Sequence, residues 1–137
     1  MSTVRFEHEF EPTVDSVKLA RRFVTSALGA WELDDLDEVA CLLTSELATN
    51  AVRHAGTVYR VVVSLLPPEV EVQVIDGSPV LPEVSAPAVR APADRGGGGL
   101  GLPLVQAFAY RWGSRAMQGG KEVWFTLLIG GPSASFP

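Results

Sequence analysis

A single cysteine, Cys41, in 137 residues excludes an internal disulfide and any cysteine-based metal cluster. It falls inside a helical pattern, which reads as a small buried hydrophobe and not as a nucleophile. No apolar run is long enough to span a bilayer, and the opening MSTVRFEHEF holds no apolar signal region. The expected compartment is the cytoplasm, without membrane association. Basic charge is also scarce: 11 Lys and Arg stand against 16 Asp and Glu, a net charge of −5. Arg21-Arg22 is the only adjacent basic pair, so the clustered cations that a nucleic-acid surface needs are missing. Internal repeats and heptad seams are absent as well.

What is present is a chain 47% hydrophobic with regular polar interruptions. That length and pattern fit one globular domain, expected over residues 1–130, followed by a disordered tail at 131–137. Val4 to Phe10 alternates and predicts a first strand, with Val4, Phe6, His8 and Phe10 on one side. His8 reads as a strand-face residue, because no second metal-type residue sits near it. Thr13 is a plausible N-cap for a helix whose apolar positions are Val17, Ala20, Val24 and Ala27. Gly29 stands where a left-handed cap would stop it, and Lys18, Arg21 and Arg22 are expected to face water.

A second helix follows, with Asp34, Asp35, Asp37 and Glu38 at its start, where negative charge complements the helix dipole. Asp35 with Glu38 resembles a capping box. The helix runs through Val39, Leu43, Leu47 and Ala51 to about His54, and Gly56 ends it. Val58–Leu66 and Val70–Ile75 then predict two antiparallel strands joined at Pro67-Pro68. Proline-rich, aperiodic sequence from Pro79 to Arg95 predicts a mobile loop. Leu100 to Tyr110 reads as a third helix with Leu100, Leu104, Ala107 and Phe108 inward and Pro103 in its first turn. Gly113–Gln118 and Lys121–Ile129 predict a closing hairpin.

Two stretches carry chemistry. In TSELATNAVRHA, residues 44–55, Glu46, Asn50 and Arg53 interrupt the apolar pattern at spacings of four and three. On a helix these side chains share one stripe. A carboxylate, a carboxamide and a guanidinium in line suit a polar ligand carrying a metal and phosphates; alone, the stripe reads as a solvated helix face. The second stretch is Gly96 to Gly101 before a helix. Glycines let the backbone approach a phosphate, and the first amides of a helix point at it. No Gly-Lys-Ser/Thr follows, so this is not the Walker pattern. Asp76, where the second strand of that pair meets a Gly-Ser-Pro turn, either aims an acceptor into a cleft or simply makes the turn.

In this order the stretches resemble the GHKL, or Bergerat-fold, ATP-binding family, nearest to the small bacterial anti-sigma-factor serine kinases. SELATNAVRHA resembles the family's N-box, VQVIDGSP its first glycine box, GGGGLGLPLVQAFAYRWG its second, and GGKEVWFTL its closing hairpin. The resemblance spans about Val4 to Leu128. It implies an α+β, two-layer sandwich with a mixed, mostly antiparallel sheet and helices on one face. It implies ATP and Mg²⁺ as cofactors, Asn50 as the metal ligand and Glu46 as the catalytic group that orients or deprotonates a hydroxyl. Arg53, Gly97, Gly99, Leu100, Gly101 and Leu102 would hold phosphates. Asp76, followed by Gly77, would accept from the adenine amino group, and residues 79–99 would be the lid.

Two departures stand out. The first box lacks its usual second glycine. Lys121 and Glu122 stand where the family often has a threonine near adenine, so Thr126 on the same strand is the expected substitute. The implied function is phosphorylation or sequestration of a protein partner, a sigma factor or an anti-sigma antagonist, with no direct nucleic-acid contact and a possible homodimer through the first strand. The alternative is an ATP-dependent binding module without phosphoryl transfer. A detached catalytic domain of a two-component histidine kinase fits less well, because neither His8 nor His54 sits in a phosphoacceptor setting.

Overall fold

The computed structural model describes residues 3–79 and 102–130. The expected lid beyond Pro79, the glycines Gly96 to Gly101 and the tail at 131–137 lie outside the described residues.

Strand β1 (Arg5–Phe10) leads to helix α1 (Val14–Ala30). Thr13 caps α1 as the sequence predicts: its hydroxyl accepts the Ser16 amide at 3.2 Å. Ala20, Val24, Ala27 and Leu28 are buried along one stripe. Gly29 does not end the helix. The chain continues through Ala30, and the left-handed residue is Glu32, φ 59°. Trp31 explains the extension: its indole donates to the Thr3 carbonyl at 2.7 Å and its ring packs on Phe6. Tertiary contact therefore carries the helix past the glycine. Arg21 also departs from expectation, since it donates to Ser45 Oγ on the next helix at 3.0 Å.

The acidic run does not form the expected capping box. Asp34–Leu36 winds a 3₁₀ turn, and α2 (Asp37–Asn50) starts after Leu36 with no side-chain cap bond. Crowding has a cost there: burial, then the neighbouring Asp34 and Asp35 charges, raises the Asp37 carboxyl above its ordinary range. Leu43 and Leu47 are buried, and each contributes about 1.5–3 kcal/mol of apolar transfer. From Ala51 to Ala55 the helix widens into a π turn, with the Gly56 amide donating to the Ala51 carbonyl at 3.1 Å. Gly56 then ends the segment at φ 65°, a conformation glycine adopts without strain.

Strands β2 (Tyr59–Leu66), β3 (Glu69–Asp76), β4 (Arg111–Met117) and β5 (Gly120–Leu128) complete the sheet. Its order is β1-β2-β3-β5-β4, and every described pairing is antiparallel, so the expected mixed sheet is antiparallel here. Val61, Val63, Val72, Val74, Val123 and Phe125 share the buried core with α1 and α2. The opposite face carries ion pairs, among them Arg111 with Glu69 and Arg115 with Glu122, each at 3.0 Å.

Helix α3 (Pro103–Phe108) is shorter than the sequence predicts. Val105 is its buried residue, and Leu102 is buried just before it; Leu104 and Phe108 pack against the core as expected, while Ala107 is exposed. A start at Pro103 sets the helical phase, and α3 packs on α2 with that phase.

Candidate functional site

Helix α2 and its π turn present their polar stripe to a cavity of about 310 Å³. Leu42, Ser45, Glu46, Thr49, Asn50 and Arg53 line one side, and Leu104 of α3 lines the other. The volume falls within the range of roughly 300–1,000 Å³ typical of small-molecule sites. Helical spacing fixes this outcome. Leu43, Leu47 and Ala51 turn into the core, which leaves Glu46, Asn50 and Arg53 on the cavity side. The π turn lies at the end of this wall, as such irregularities often do beside functional sites. A larger groove, about 610 Å³, lies between β1 and α1, but its lining area is mainly apolar, from residues such as Phe10, Leu19 and Phe23. The convergent polar groups are beside α2.

Glu46 is the most perturbed of these groups. Burial pushes its carboxyl up to about 7, although backbone hydrogen bonds from Val105 and Leu104 pull the other way. The Val105 amide donates to Glu46 Oε1 at 3.3 Å. A carboxyl half-ionised near neutral pH, partly desolvated and facing a cavity is suited to taking a proton from a hydroxyl. Cys41 is the contrasting case. Burial raises its thiol, which removes the thiolate that nucleophilic chemistry needs.

Apart from Thr126, the remaining predicted residues separate into three groups. Leu102 is buried immediately before α3. Asp76 and Gly77 stand at the end of β3, outside the lining of the cavity. The Gly77 amide donates to Thr57 Oγ1 at 2.9 Å. Asp76 is buried and accepts from Ser78 N at 2.8 Å and from Lys121 Nζ at 2.7 and 2.9 Å. Gly97, Gly99, Leu100 and Gly101 lie outside the described residues.

Thr126 is a correction. It pairs with Glu71 and Arg111, whereas Asp76 pairs with Lys121. Side chains alternate along β5, so Thr126 shares a sheet face with Glu122 and not with Asp76. It is also five residues from Lys121, roughly 17 Å at 3.4 Å per residue. It cannot replace a threonine at position 121. Lys121 is the residue that sequence reasoning left without a role. The available signal was alternation: if Val123, Phe125 and Leu127 point inward, so does Lys121.

The donor set fits a nucleotide better than a metal cage. Among the described residues, no three His, Cys, Asp or Glu side chains cluster to hold a metal ion. Asn50 supplies one hard oxygen, and Mg²⁺ typically takes one or two protein ligands and completes its shell with phosphates and waters. Also among the described residues, no helix is long and apolar enough to cross a membrane.

No curated protein matches the chain. Among the solved structures that resemble it is that of the RsbU and RsbW domains of Rv1364c from Mycobacterium tuberculosis. The TM-score is 0.68 at 17% identity, covering 96% of this chain and 34% of that one. This chain therefore spans about a third of that chain's length, and at such identity the likeness establishes the fold. Residues 10–127, which include the polar stripe of α2, Asp76 and α3, match a known domain family over most of the chain. The chain belongs to the family of histidine kinase-like ATPase domains.

Proposed function

We propose that this domain binds Mg-ATP beside α2 and acts on a protein partner in transcriptional regulation, in the manner of the anti-sigma serine/threonine kinases it resembles. The observation that carries the reading is the single cavity wall holding Glu46, Asn50 and Arg53, with the Glu46 carboxyl raised to about 7. Membership of an ATPase-type family supports the nucleotide; the transfer step is our inference from Glu46.

Each side chain has a defined task in this reading. The Asn50 amide oxygen ligates Mg²⁺. Arg53 is exposed at the cavity rim and pairs with phosphate. Bound Mg²⁺ supplies neutralisation of phosphate charge, the main requirement of phosphoryl transfer. Glu46 orients a serine or threonine hydroxyl of the partner and takes its proton. Gly97, Gly99, Leu100, Gly101 and Leu102 supply backbone amides to the phosphates, and Asp76 and Gly77 mark the base end.

One observation favours a second reading, an ATP-dependent binding module without transfer. The Glu46 carboxylate already serves a structural purpose by accepting the Val105 amide. Labelled ATP incubated with the protein and its partner separates the two. Label on the partner that disappears in Glu46→Gln supports the kinase. Saturable binding with no transferred label supports the module. The prior step is calorimetric titration of Mg-ATP into wild type and Asn50→Ala; no binding in wild type overturns both readings.

A further inference from the structure

Strand β1 is an edge of the sheet, and among the described residues it pairs with β2 alone. The register shows which way its backbone points. Arg5 faces Ser64, so Val4 faces Leu65, and the Leu65 amide donates to the Val4 carbonyl at 2.8 Å. Hydrogen-bonded residues alternate along an antiparallel strand. Val4, Phe6, His8 and Phe10 therefore turn their amides and carbonyls toward β2, and Arg5, Glu7 and Glu9 turn theirs outward. Such a row is a template for a further strand.

The apolar groove of about 610 Å³ lies along the same edge. His8 and Phe10 project from β1 toward α1, where their rings lie 5.9 and 6.0 Å from that of Phe23. Leu19 and Phe23 form the α1 wall, and Leu19 remains half exposed. A strand added beside β1 sends every second side chain into this groove. The alternate ones pass over the opposite face of the sheet, beside Glu7 and Glu9.

Charge decides what fits. Glu7 already meets Arg5 at 3.5 Å and Arg60 at 3.6 Å. Glu9 and Glu11, which line the groove with Arg22, have no ion pair among the described residues. A second copy of β1 complements this end of the strand poorly. Antiparallel self-pairing centred on His8 sets Glu7 against Glu9 twice, and centring on Glu9 sets that carboxylate against itself. Like charges directly opposite one another repel.

We propose that the β1 edge and the groove beside α1 dock an extended segment of a protein partner in which apolar residues alternate with lysine or arginine. Arg5, Glu7 and Glu9 supply the ladder hydrogen bonds, the groove takes the apolar side chains, and Glu9 takes a basic one. This surface shares no lining residue with the cavity beside α2, so the inference stands without the nucleotide reading.

Fluorescence anisotropy with a labelled synthetic peptide alternating valine and lysine tests it, using the full chain. A valine–glutamate peptide and a fully N-methylated copy of the lysine peptide serve as comparisons. The protein variants are Glu9→Lys and Glu7→Pro, with folding checked by circular dichroism. The Glu7 amide points away from β2, so proline there removes an edge donor and no bond to β2. Where Glu7→Pro fails to fold, the N-methylated peptide removes donors from the other side and leaves the protein intact. Wild type is expected to bind the lysine peptide saturably and the glutamate peptide at least tenfold more weakly. Glu9→Lys, Glu7→Pro and N-methylation should each weaken the lysine peptide at least fivefold. Binding that survives both Glu7→Pro and N-methylation is charge attraction without strand addition, and overturns the proposal. Equal binding of the two unmethylated peptides overturns the basic partner. No binding overturns the proposal whole; sedimentation showing a dimer that Glu7→Pro dissociates would then assign the edge to a second copy.

Discussion

The Val105 amide of α3 donates to the Glu46 carboxylate of α2 at 3.3 Å. One side chain thus faces the cavity and ties together the two helices that form it. Its carboxyl titrates at about 7 in the folded protein against an ordinary value of 4.5. The raised value means that ionisation is resisted by the fold. Below pH 4.5 the group is protonated in both states and no penalty exists. Between pH 4.5 and about 7 the unfolded chain ionises while the folded protein holds its proton, so stability falls across that window and levels off above it. Glu46→Gln removes that ionisation while keeping an oxygen that accepts from Val105. Thermal melts should show the variant gaining on wild type between pH 5 and pH 8, by about 1–3 kcal/mol after allowance for partial exposure. A gap independent of pH would refute the perturbed ionisation.

The same group sets the pH dependence of transfer. With Glu46 as the base, phosphorylation of the true partner rises with pH through about 7 and levels off above it. Glu46→Gln lowers the rate by roughly 10²–10⁴-fold and removes the inflection, while ATP affinity changes little. A rate that survives the substitution would assign Glu46 to holding α3 only.

The Asp76–Lys121 pair is expected to be costly to break and cheap to replace. Lys121→Met leaves a buried carboxylate unpaired and should lose about 3–5 kcal/mol in urea unfolding. The double variant Asp76→Asn with Lys121→Met should recover most of that loss. A double-mutant cycle with coupling below about 0.5 kcal/mol would mean that the two groups do not interact as drawn.

Gly120 tests the register of β5 against β3. Gly120→Ala places a methyl against the Asp76 backbone and should destabilise by about 1–3 kcal/mol, whereas Gly119→Asn, at φ 83° with open space around it, should cost far less. Equal losses at the two positions would contradict the close approach at Asp76.

Core packing gives a reference for these values. Leu47→Ala empties a buried position between the helices and the sheet, and its cost should reach about 2–5 kcal/mol without a change in denaturant slope. Arg53→Gln, exposed at the cavity rim, should leave the melting temperature nearly unchanged and weaken Mg-ATP binding.

Local pattern was sufficient where one face of an element meets one core. The period of α2, continued into its π turn, places Glu46, Asn50 and Arg53 on a common wall, since Leu43, Leu47 and Ala51 have to be buried. β-Branched and aromatic content defines β2 and alternation defines β3, and Thr13 and Gly56 cap their segments by local chemistry. The order of the boxes was enough to reach the family. Elsewhere the outcome depended on partners distant in sequence. Trp31 reaches Thr3 and Phe6 and draws α1 past Gly29. Val105 bonds Glu46 from 59 residues away, and burial raises that carboxyl further than its local sequence implies. Thr126 and Lys121 belong to one strand, yet pairing and pleat put only Lys121 against Asp76. Periodicity reports which face a side chain joins. Only the folded chain decides which charge it meets there, because that meeting is set by strand register and by the close backbone approach at Gly120.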